Sequence, residues 1–149
     1  MSFEANLWKW LREQARPLIA AKKLHICRVE NWVTPGYPDV EGCLSGRGFH
    51  LELKGTLRPA RPATRVTTKF QPGQKPWLKR RWAAGGSCFV LLRVGVGREV
   101  KRYLFRGDQL STVGEVPESE LNRISLIHPK ANGLEVIKCA ANYREETGA

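Results

Sequence analysis

The chain has 149 residues, 42% hydrophobic and 26% charged, and carries a formal net charge of +11. This composition predicts one globular domain with a buried core, spanning residues 1–149. No run approaches the roughly 18 consecutive apolar residues of a membrane span, and the N-terminal segment lacks the order of a secretory signal. We therefore expect a cytoplasmic protein with no membrane partner.

The positive charge is concentrated in the middle of the chain. Between Leu53 and Arg98 there are eleven basic residues and no acidic one, so 14 of the 25 basic residues are left to balance the 14 acidic residues elsewhere. A one-sided electropositive segment indicates a polyanionic partner, most often nucleic acid. A basic surface kept for solubility, or a ribosome-like partner, is the alternative.

The first element is an amphipathic helix. Apolar residues recur at three- and four-residue spacings from Phe3 to about Lys22, and Ser2 is placed to cap its start. Pro17 lies inside this pattern, so we expect a bend there or a second short helix.

Three strands and a loop follow. "LHICRVEN" has the β-branched and alternating apolar residues of a short strand, and two further strands are predicted at about Asp39–Leu44 and Phe49–Lys54. The "SGRG" between those two is a hairpin-type connection, so the three strands should form an antiparallel meander. "TLRPARPATRVTTKFQPG" has no periodicity and predicts a mobile basic loop.

The next elements predict a crossover. "QKPWLKRRWAAGG" has helical spacing from Gln74 with glycines to end it, and "SCFVLLRVG" is a continuous apolar run typical of a strand covered on both faces. The strand from Ser87 should therefore lie parallel to the strand from Phe49. "VKRYLFRG" predicts a further strand and "ESELNRI" a short helix.

The C-terminal part is expected to be peripheral. "SLIHP" and "GLEVIKCA" have the composition of outer strands, and the tail "NYREETGA" is expected to fray. The predicted domain thus has a core at about residues 2–106 and peripheral elements at 107–149.

One predicted central strand carries polar residues where a buried side chain is expected. Alternation in "FHLELKG" places three polar residues on one face: His50, Glu52 and Lys54. Glu52 and Lys54 alone could be an ion pair on a solvated strand. Asp39 begins the neighbouring strand, however, and a hairpin of this length can bring its carboxylate beside that of Glu52.

Two adjacent carboxylates repel each other unless a cation lies between them. An oxygen-rich site of this kind favours Mg²⁺ or Mn²⁺ as cofactor, and nothing in the sequence indicates an organic cofactor. Lys54 would lie close enough to orient a water molecule or to neutralise charge on a phosphate oxygen.

These residues resemble a known signature. Pro38-Asp39 and Glu52-Leu53-Lys54 are similar to the motif of the PD-(D/E)xK nuclease superfamily. Within it, the chain resembles the virus-type replication-repair nuclease (VRR-NUC) group. The matching features are Gly36 before the PD, an "ELKG" strand ending at Gly55, Gln74 with Trp77 at the next helix, Gly85-Gly86 and "CFVLLRV". The resemblance covers about Ser2 to Val94.

The resemblance implies a restriction-endonuclease-like α/β fold, with a mixed sheet of an antiparallel meander plus a parallel crossover strand, flanked by helices. It also implies that the metal is held by two side chains, Asp39 and Glu52, and by the backbone carbonyl of Leu53. Lys54 would then be the catalytic ammonium.

Two further residues match family positions. Glu4 matches an acidic residue on the first helix that helps to hold a metal or its water, although an acid in this position is also favoured by the helix dipole. Gln74 matches a glutamine near the site, or is an ordinary first-turn helix residue. Glu41 shares the face of Asp39 and is either a lesser metal contact or a solvated strand-end carboxylate.

The implied activity is metal-dependent hydrolysis of DNA phosphodiester bonds. Small stand-alone chains of this kind resemble phage enzymes that act on branched DNA such as four-way (Holliday) junctions, some of them as homodimers. The residues expected to contact DNA are Arg58, Arg61, Arg65, Lys69, Lys75, Lys79, Arg80, Arg81 and His50. His50 is expected to pack or to contact DNA rather than to act as a base.

Two other functions remain open. The chain could be a nuclease for flaps, nicks or ends, or a non-catalytic nucleic-acid-binding module on a nuclease scaffold. Clustered carboxylates disfavour the second alternative, because they repel phosphate.

Overall fold

The computed structural model describes residues 2–149, which form one mixed sheet with helices on both faces. In chain order the elements are α1 (Phe3–Ala20), β1 (Leu24–Arg28), β2 (Val40–Leu44), β3 (Arg47–Thr56), α2 (Gln74–Ala83), β4 (Cys88–Val94), a 3-10 turn (Gly97–Glu99), β5 (Lys101–Arg106), α3 (Glu118–Ile124) and α4 (Gly133–Thr147).

The sheet has the predicted fold class. Its strand order follows the chain, β1-β2-β3-β4-β5. Every neighbouring pair is antiparallel except β3 and β4, which are parallel and are joined through α2. The antiparallel meander and the parallel crossover strand are therefore confirmed. The hairpin between β2 and β3 turns on Ser45 and Gly46, both with positive φ, as two-residue hairpins favour.

Helix α1 begins where the sequence predicts. The Ala5 N–H donates to Ser2 Oγ at 3.1 Å, which is the expected cap. The helix continues through Pro17 as one segment, so the predicted second helix does not form. Its buried residues Leu7, Leu11 and Ala15 lie one turn apart and pack on the sheet.

The two faces of the sheet have different covers. On the face of Leu51 and Leu53, α1 packs so closely that a Cβ on Gly55 would lie 2.3 Å from Phe3 Cβ. Helix α4 also packs against β2, β3 and α1. On the opposite face, that of Glu52, Gln74 of α2 reaches the polar side chains of β3.

The predicted outer strands at the C-terminus are wrong. "GLEVIKCA" and most of the tail form α4, which starts at an Asn132 cap whose Oδ1 accepts the Glu135 N–H. Its β-branched residues suggested a strand, but the buried residues Val136, Ile137, Ala140 and Ala141 have helical spacing. "SLIHP" is irregular. No helix within residues 2–149 is both long and apolar enough to cross a membrane.

The basic segment between β3 and α2 is irregular, as predicted, but it is anchored at several points. Val66 is buried, and its N–H donates to the Val116 carbonyl at 2.9 Å. Arg65 forms an isolated bridge with Pro117, and Arg58 is bound to Glu118. A loop predicted to be mobile is therefore tied to the segment before α3.

Candidate active site

The strand register brings the two predicted carboxylates together. Val40 is the partner of Leu51, so Asp39, one residue earlier, stands beside Glu52 on the same face. The Leu53 N–H donates to Asp39 Oδ2 at 2.9 Å, which fixes the Asp39 carboxylate at the end of β2. Pairing between β2 and β3 stops at this point, which leaves room for Asp39 to turn toward its neighbour.

Glu52 is an unusually buried acid. Only 1% of the residue is exposed, and one of its carboxylate oxygens, Oε1, is buried without a hydrogen-bond partner. Burial first, and then the Asp39 carboxyl, raise the pKa of Glu52, whereas Lys54 opposes the shift. Without a cation, the site therefore favours the protonated form of Glu52.

Gln74 connects the helix to both charged groups of β3. Its Oε1 accepts from Lys54 Nζ at 2.8 Å and from the Gln71 N–H at 2.7 Å, and its Nε2 donates to Glu52 Oε2 at 3.1 Å. Lys54 Nζ lies 3.6 Å from Glu52 Oε2 and 5.0 Å from the centre of the Phe70 ring. The ammonium is thus held beside the carboxylates on a side chain that is almost fully buried.

This donor set fits Mg²⁺ or Mn²⁺. Two carboxylates face each other, and the unpartnered Glu52 Oε1 lacks the proton donor or cation that a buried carboxylate oxygen requires. Within residues 2–149, no three His, Cys, Asp or Glu side chains converge on one point. Mg²⁺ is commonly held by one or two carboxylates, with water and substrate phosphate completing its shell, so the pair suffices.

Glu4 does not join this pair in the described structure. It is half-buried in the first turn of α1 and makes no third member of a metal-binding group. Its predicted role, and that of the Leu53 carbonyl as a ligand, stay predictions.

His50 lies in an aromatic cluster next to the site. It is 8% exposed and meets the rings of Tyr37 and Trp77 edge-on, with centroids 5.6 and 5.3 Å away. Burial lowers the pKa of His50, and the nearby Arg81 adds to this effect. The structure shows the packing role, and DNA contact by His50 stays a prediction.

Tyr37 was not identified from the sequence as part of this cluster. Its hydroxyl lies 3.3 Å from His50 Nε2 and donates to Glu41 Oε2 at 3.3 Å. Glu41 is exposed and turns toward Tyr37 and His50. The aromatic residue in "GYPD" was the available signal, because it precedes the predicted site by two positions.

The basic residues predicted to contact DNA divide into two groups. Three are engaged within the protein: Arg58 donates to both Glu118 oxygens at 2.6 and 3.0 Å, Arg65 lies 3.4 Å from Glu115, and Lys75 donates to the Val113 carbonyl. The other five are exposed and form no ion pair within the described chain: Arg61, Lys69, Lys79, Arg80 and Arg81.

The loop that ends in Asp39 carries an apolar tip, which was also missed. Trp32 is 91% exposed and Val33 90%, at the tip of the β1–β2 segment that ends in Asp39. Asn31 Oδ1 accepts the N–H groups of Val33 and Thr34 at 3.0 and 2.9 Å, which gives the tip a defined turn. The sequence pattern assigned no element or role to Trp32.

The other end of this loop contacts the start of α2. Gly36 has φ +82°, and a Cβ there would lie 2.1 Å from the Gly73 carbonyl oxygen. Gly73 immediately precedes Gln74. The loop that ends in Asp39 therefore packs against the start of α2, and Gln74 of α2 hydrogen-bonds to Glu52 and Lys54.

Comparison with known proteins gives a likeness to solved structures. No protein-family model matches the chain, and no curated protein does. The solved structure of Hjc, a Holliday junction resolvase of the archaeal hyperthermophile Archaeoglobus fulgidus, is 17% identical, with a TM-score of 0.49. The alignment covers 79% of this chain and 93% of that chain. The nuclease resemblance seen in the motifs stays a prediction.

Proposed function

We propose that the protein is a Mg²⁺- or Mn²⁺-dependent endodeoxyribonuclease of the PD-(D/E)xK type. One observation carries the proposal: Asp39 and Glu52 meet on one sheet face, with an unpartnered buried oxygen on Glu52 and the ammonium of Lys54 alongside. A binding module for nucleic acid has no use for paired carboxylates that repel phosphate.

The residues have distinct chemical roles in this proposal. A divalent cation held by Asp39 and Glu52 would polarise a phosphate oxygen and lower the pKa of a water molecule. Lys54 places positive charge where the scissile phosphate gains negative charge, and Gln74 holds the Lys54 ammonium in that position. Burial of Lys54 and Glu52 strengthens these interactions, because little water screens them.

Branched DNA is the substrate that we propose, with four-way junctions as the leading case. The exposed Trp32, on the loop that ends in Asp39, offers a stacking surface for a base, and bases are accessible where a duplex is interrupted. A four-way junction is symmetric and needs two cuts, so we propose a twofold homodimer. Membership of the VRR-NUC group and a phage-type role belong to the same proposal.

The deciding experiment compares DNA substrates under controlled metal conditions. Purified protein is incubated with end-labelled four-way junction, flap and linear duplex in Mg²⁺, Mn²⁺ or EDTA, beside Asp39→Asn. We expect the junction to be cut preferentially, only with metal, and not by the variant.

The other outcomes identify the alternatives. Preferential cutting of flaps, nicks or ends would replace the junction assignment and keep the nuclease. Tight binding without cutting, equal in Asp39→Asn, would show a non-catalytic binding module and overturn the proposal.

A further inference from the structure

A second basic surface lies on the side of the sheet away from the carboxylates. It is a groove of about 580 Å³ between the outer face of α1 and the end of β1. We call it the α1–β1 groove. Its lining is Ala5, Trp8, Lys9, Arg12, Glu13, Arg16, Ile19 and Arg28.

The register of the strands places the groove relative to the active site. Arg28 is the partner of Val40, and Val40 is the partner of Leu51, so all three side chains face α1. Glu52 faces the opposite way. Strand β1 is an edge of the sheet, and the loop carrying Trp32 follows it.

The charge in the groove is not neutralised locally. Four basic side chains and one acidic side chain, Glu13, line it. Among residues 2–149, none of the four basic groups lies in an ion pair: Lys9, Arg12, Arg16 and Arg28. The balance of charge seen along the sequence outside residues 53–98 is therefore not a balance in space.

The spacing of these groups suits a linear polyanion. Lys9, Arg12 and Arg16 follow one another by three and four residues, so they form one row on α1 that extends about 10 Å at 1.5 Å per residue. Duplex DNA presents about one phosphate per 1.7 Å of its axis, so such a row can meet several phosphates. Half-buried Trp8 adds an apolar wall to the groove.

We propose that the α1–β1 groove is a second binding site for the DNA phosphate backbone. It would hold a duplex arm of the substrate that is not in the active site, reached around the β1 edge past the Trp32 loop. The inference rests on the proposed function only in taking DNA as the ligand, and it does not require cleavage.

The test measures binding apart from catalysis. Fluorescence anisotropy gives the affinity for a labelled four-way junction in EDTA over a series of NaCl concentrations, in an otherwise wild-type chain carrying Glu52→Gln. Arg12→Gln/Arg16→Gln is compared with Arg98→Gln/Lys138→Gln, a control that removes the same charge from two exposed residues outside the groove. The groove variant should bind at least about tenfold more weakly, with the slope of log K against log salt reduced by about two.

Three results would overturn the inference. One is an equal change in the salt slope of the groove variant and the control. Another is the absence of DNA binding by the Glu52→Gln chain that carries neither pair of substitutions. The third is an unchanged slope in the groove variant. If that variant also self-associates more weakly, the groove would be assigned to a second copy of the chain. Failure of the wild-type chain to cut DNA, with the slope reduced only by the groove variant, would end the nuclease proposal and leave the groove assignment standing.

Discussion

At the scale of single residues, the site is defined by a row of buried polar side chains on a central strand. The three buried polar or charged residues within residues 2–149 are His50, Glu52 and Lys54, consecutive on one face of β3. Alternation along the strand was enough to predict this row and its separation from the apolar face. Tyr37 and Phe70 were not predicted, because they lie in segments without periodicity, where only tertiary packing brings them to the site.

Gln74 provides the first test at this scale. Gln74→Ala removes the hydrogen bonds to Lys54 and Glu52, so we expect the single-turnover rate constant for junction cleavage to fall about 10- to 100-fold while the Kd for DNA stays unchanged. The control is Gln71→Ala, because the Gln71 side chain is exposed and only its backbone N–H contacts Gln74. Single-turnover kinetics and anisotropy measure the two quantities. Equal rates for the two variants would remove Gln74 from a positioning role.

At the scale of elements, the loop from β1 to β2 fixes one carboxylate relative to α2. Gly36→Ala puts a Cβ against the Gly73 carbonyl at a residue with positive φ, so we expect the free energy of unfolding to fall by about 2 kcal/mol or more. The matched control is Gly46→Ala, because Gly46 also has a positive φ, +87°, but has open space around it. This substitution should lower the free energy of unfolding by about 1 kcal/mol from backbone strain alone.

Urea denaturation measures both glycine variants. A displaced Asp39 should also weaken Mn²⁺ binding in Gly36→Ala and leave it intact in Gly46→Ala. Equal losses of stability would show that the contact with Gly73 does not hold this loop.

The tip of the same loop is expected to contribute to substrate choice. Trp32→Ala removes the exposed ring, so we expect the preference for junction over linear duplex to fall about 5- to 150-fold, since stacking of one base contributes roughly 1–3 kcal/mol. Val96→Ala truncates another exposed apolar side chain, in the turn after β4, and should leave the preference unchanged. Competition cleavage of the two substrates gives the ratio. An unaltered ratio in Trp32→Ala would exclude the loop tip from branch recognition.

The basic segment and α3 are joined by a pH-sensitive ion pair. Arg58 first, and then the hydroxyl of Tyr103, hold the pKa of Glu118 below its usual value against the effect of burial. A lowered folded-state pKa stabilises the protein above the usual pKa of glutamate, about 4.3, and this contribution is lost as the pH falls through the folded value.

Glu118→Gln should therefore lower the free energy of unfolding by about 1–2 kcal/mol at pH 7, and the difference from wild type should close as the pH falls through the lowered pKa of Glu118. Glu120→Gln breaks a solvent-exposed ion pair with Arg123, so it should leave the dependence of the unfolding free energy on pH nearly unchanged. Urea denaturation from pH 3 to pH 8 measures both. A difference in the free energy of unfolding between Glu118→Gln and wild type that stays constant with pH would contradict this account.

The elements also show where prediction from the sequence succeeds and fails. The helix from Gln74 and the strand from Ser87 were predicted because their periodicity, length and flanking glycines agree. The local pattern of helix α4 predicts a strand because Val136 and Ile137 favour strands, whereas packing against α1 and β3 favours a helix. The role of Arg58 was also beyond local pattern, because its partner Glu118 lies 60 residues away.

At the scale of the whole molecule, the central sheet separates two basic surfaces. One is the set of exposed basic residues between positions 61 and 81, which we expect to flank the carboxylates, and the other is the α1–β1 groove behind the sheet. With a net charge of +11, the protein should bind DNA with strong salt dependence. Arg28 of the groove and the loop that ends in Asp39 both lie at the β1 edge, so we expect a branched substrate to contact the two sides of the sheet with different arms.

The most direct measurement of the central claim is Mn²⁺ binding by isothermal titration calorimetry, for the wild type, Asp39→Asn and Glu52→Gln. Both variants keep the size of the side chain and remove one negative charge from the pair, and circular dichroism confirms that they are folded. We predict a saturable site in the wild type that both variants lose. Mn²⁺ binding of equal strength in all three proteins, or none in the folded wild type, would contradict the account.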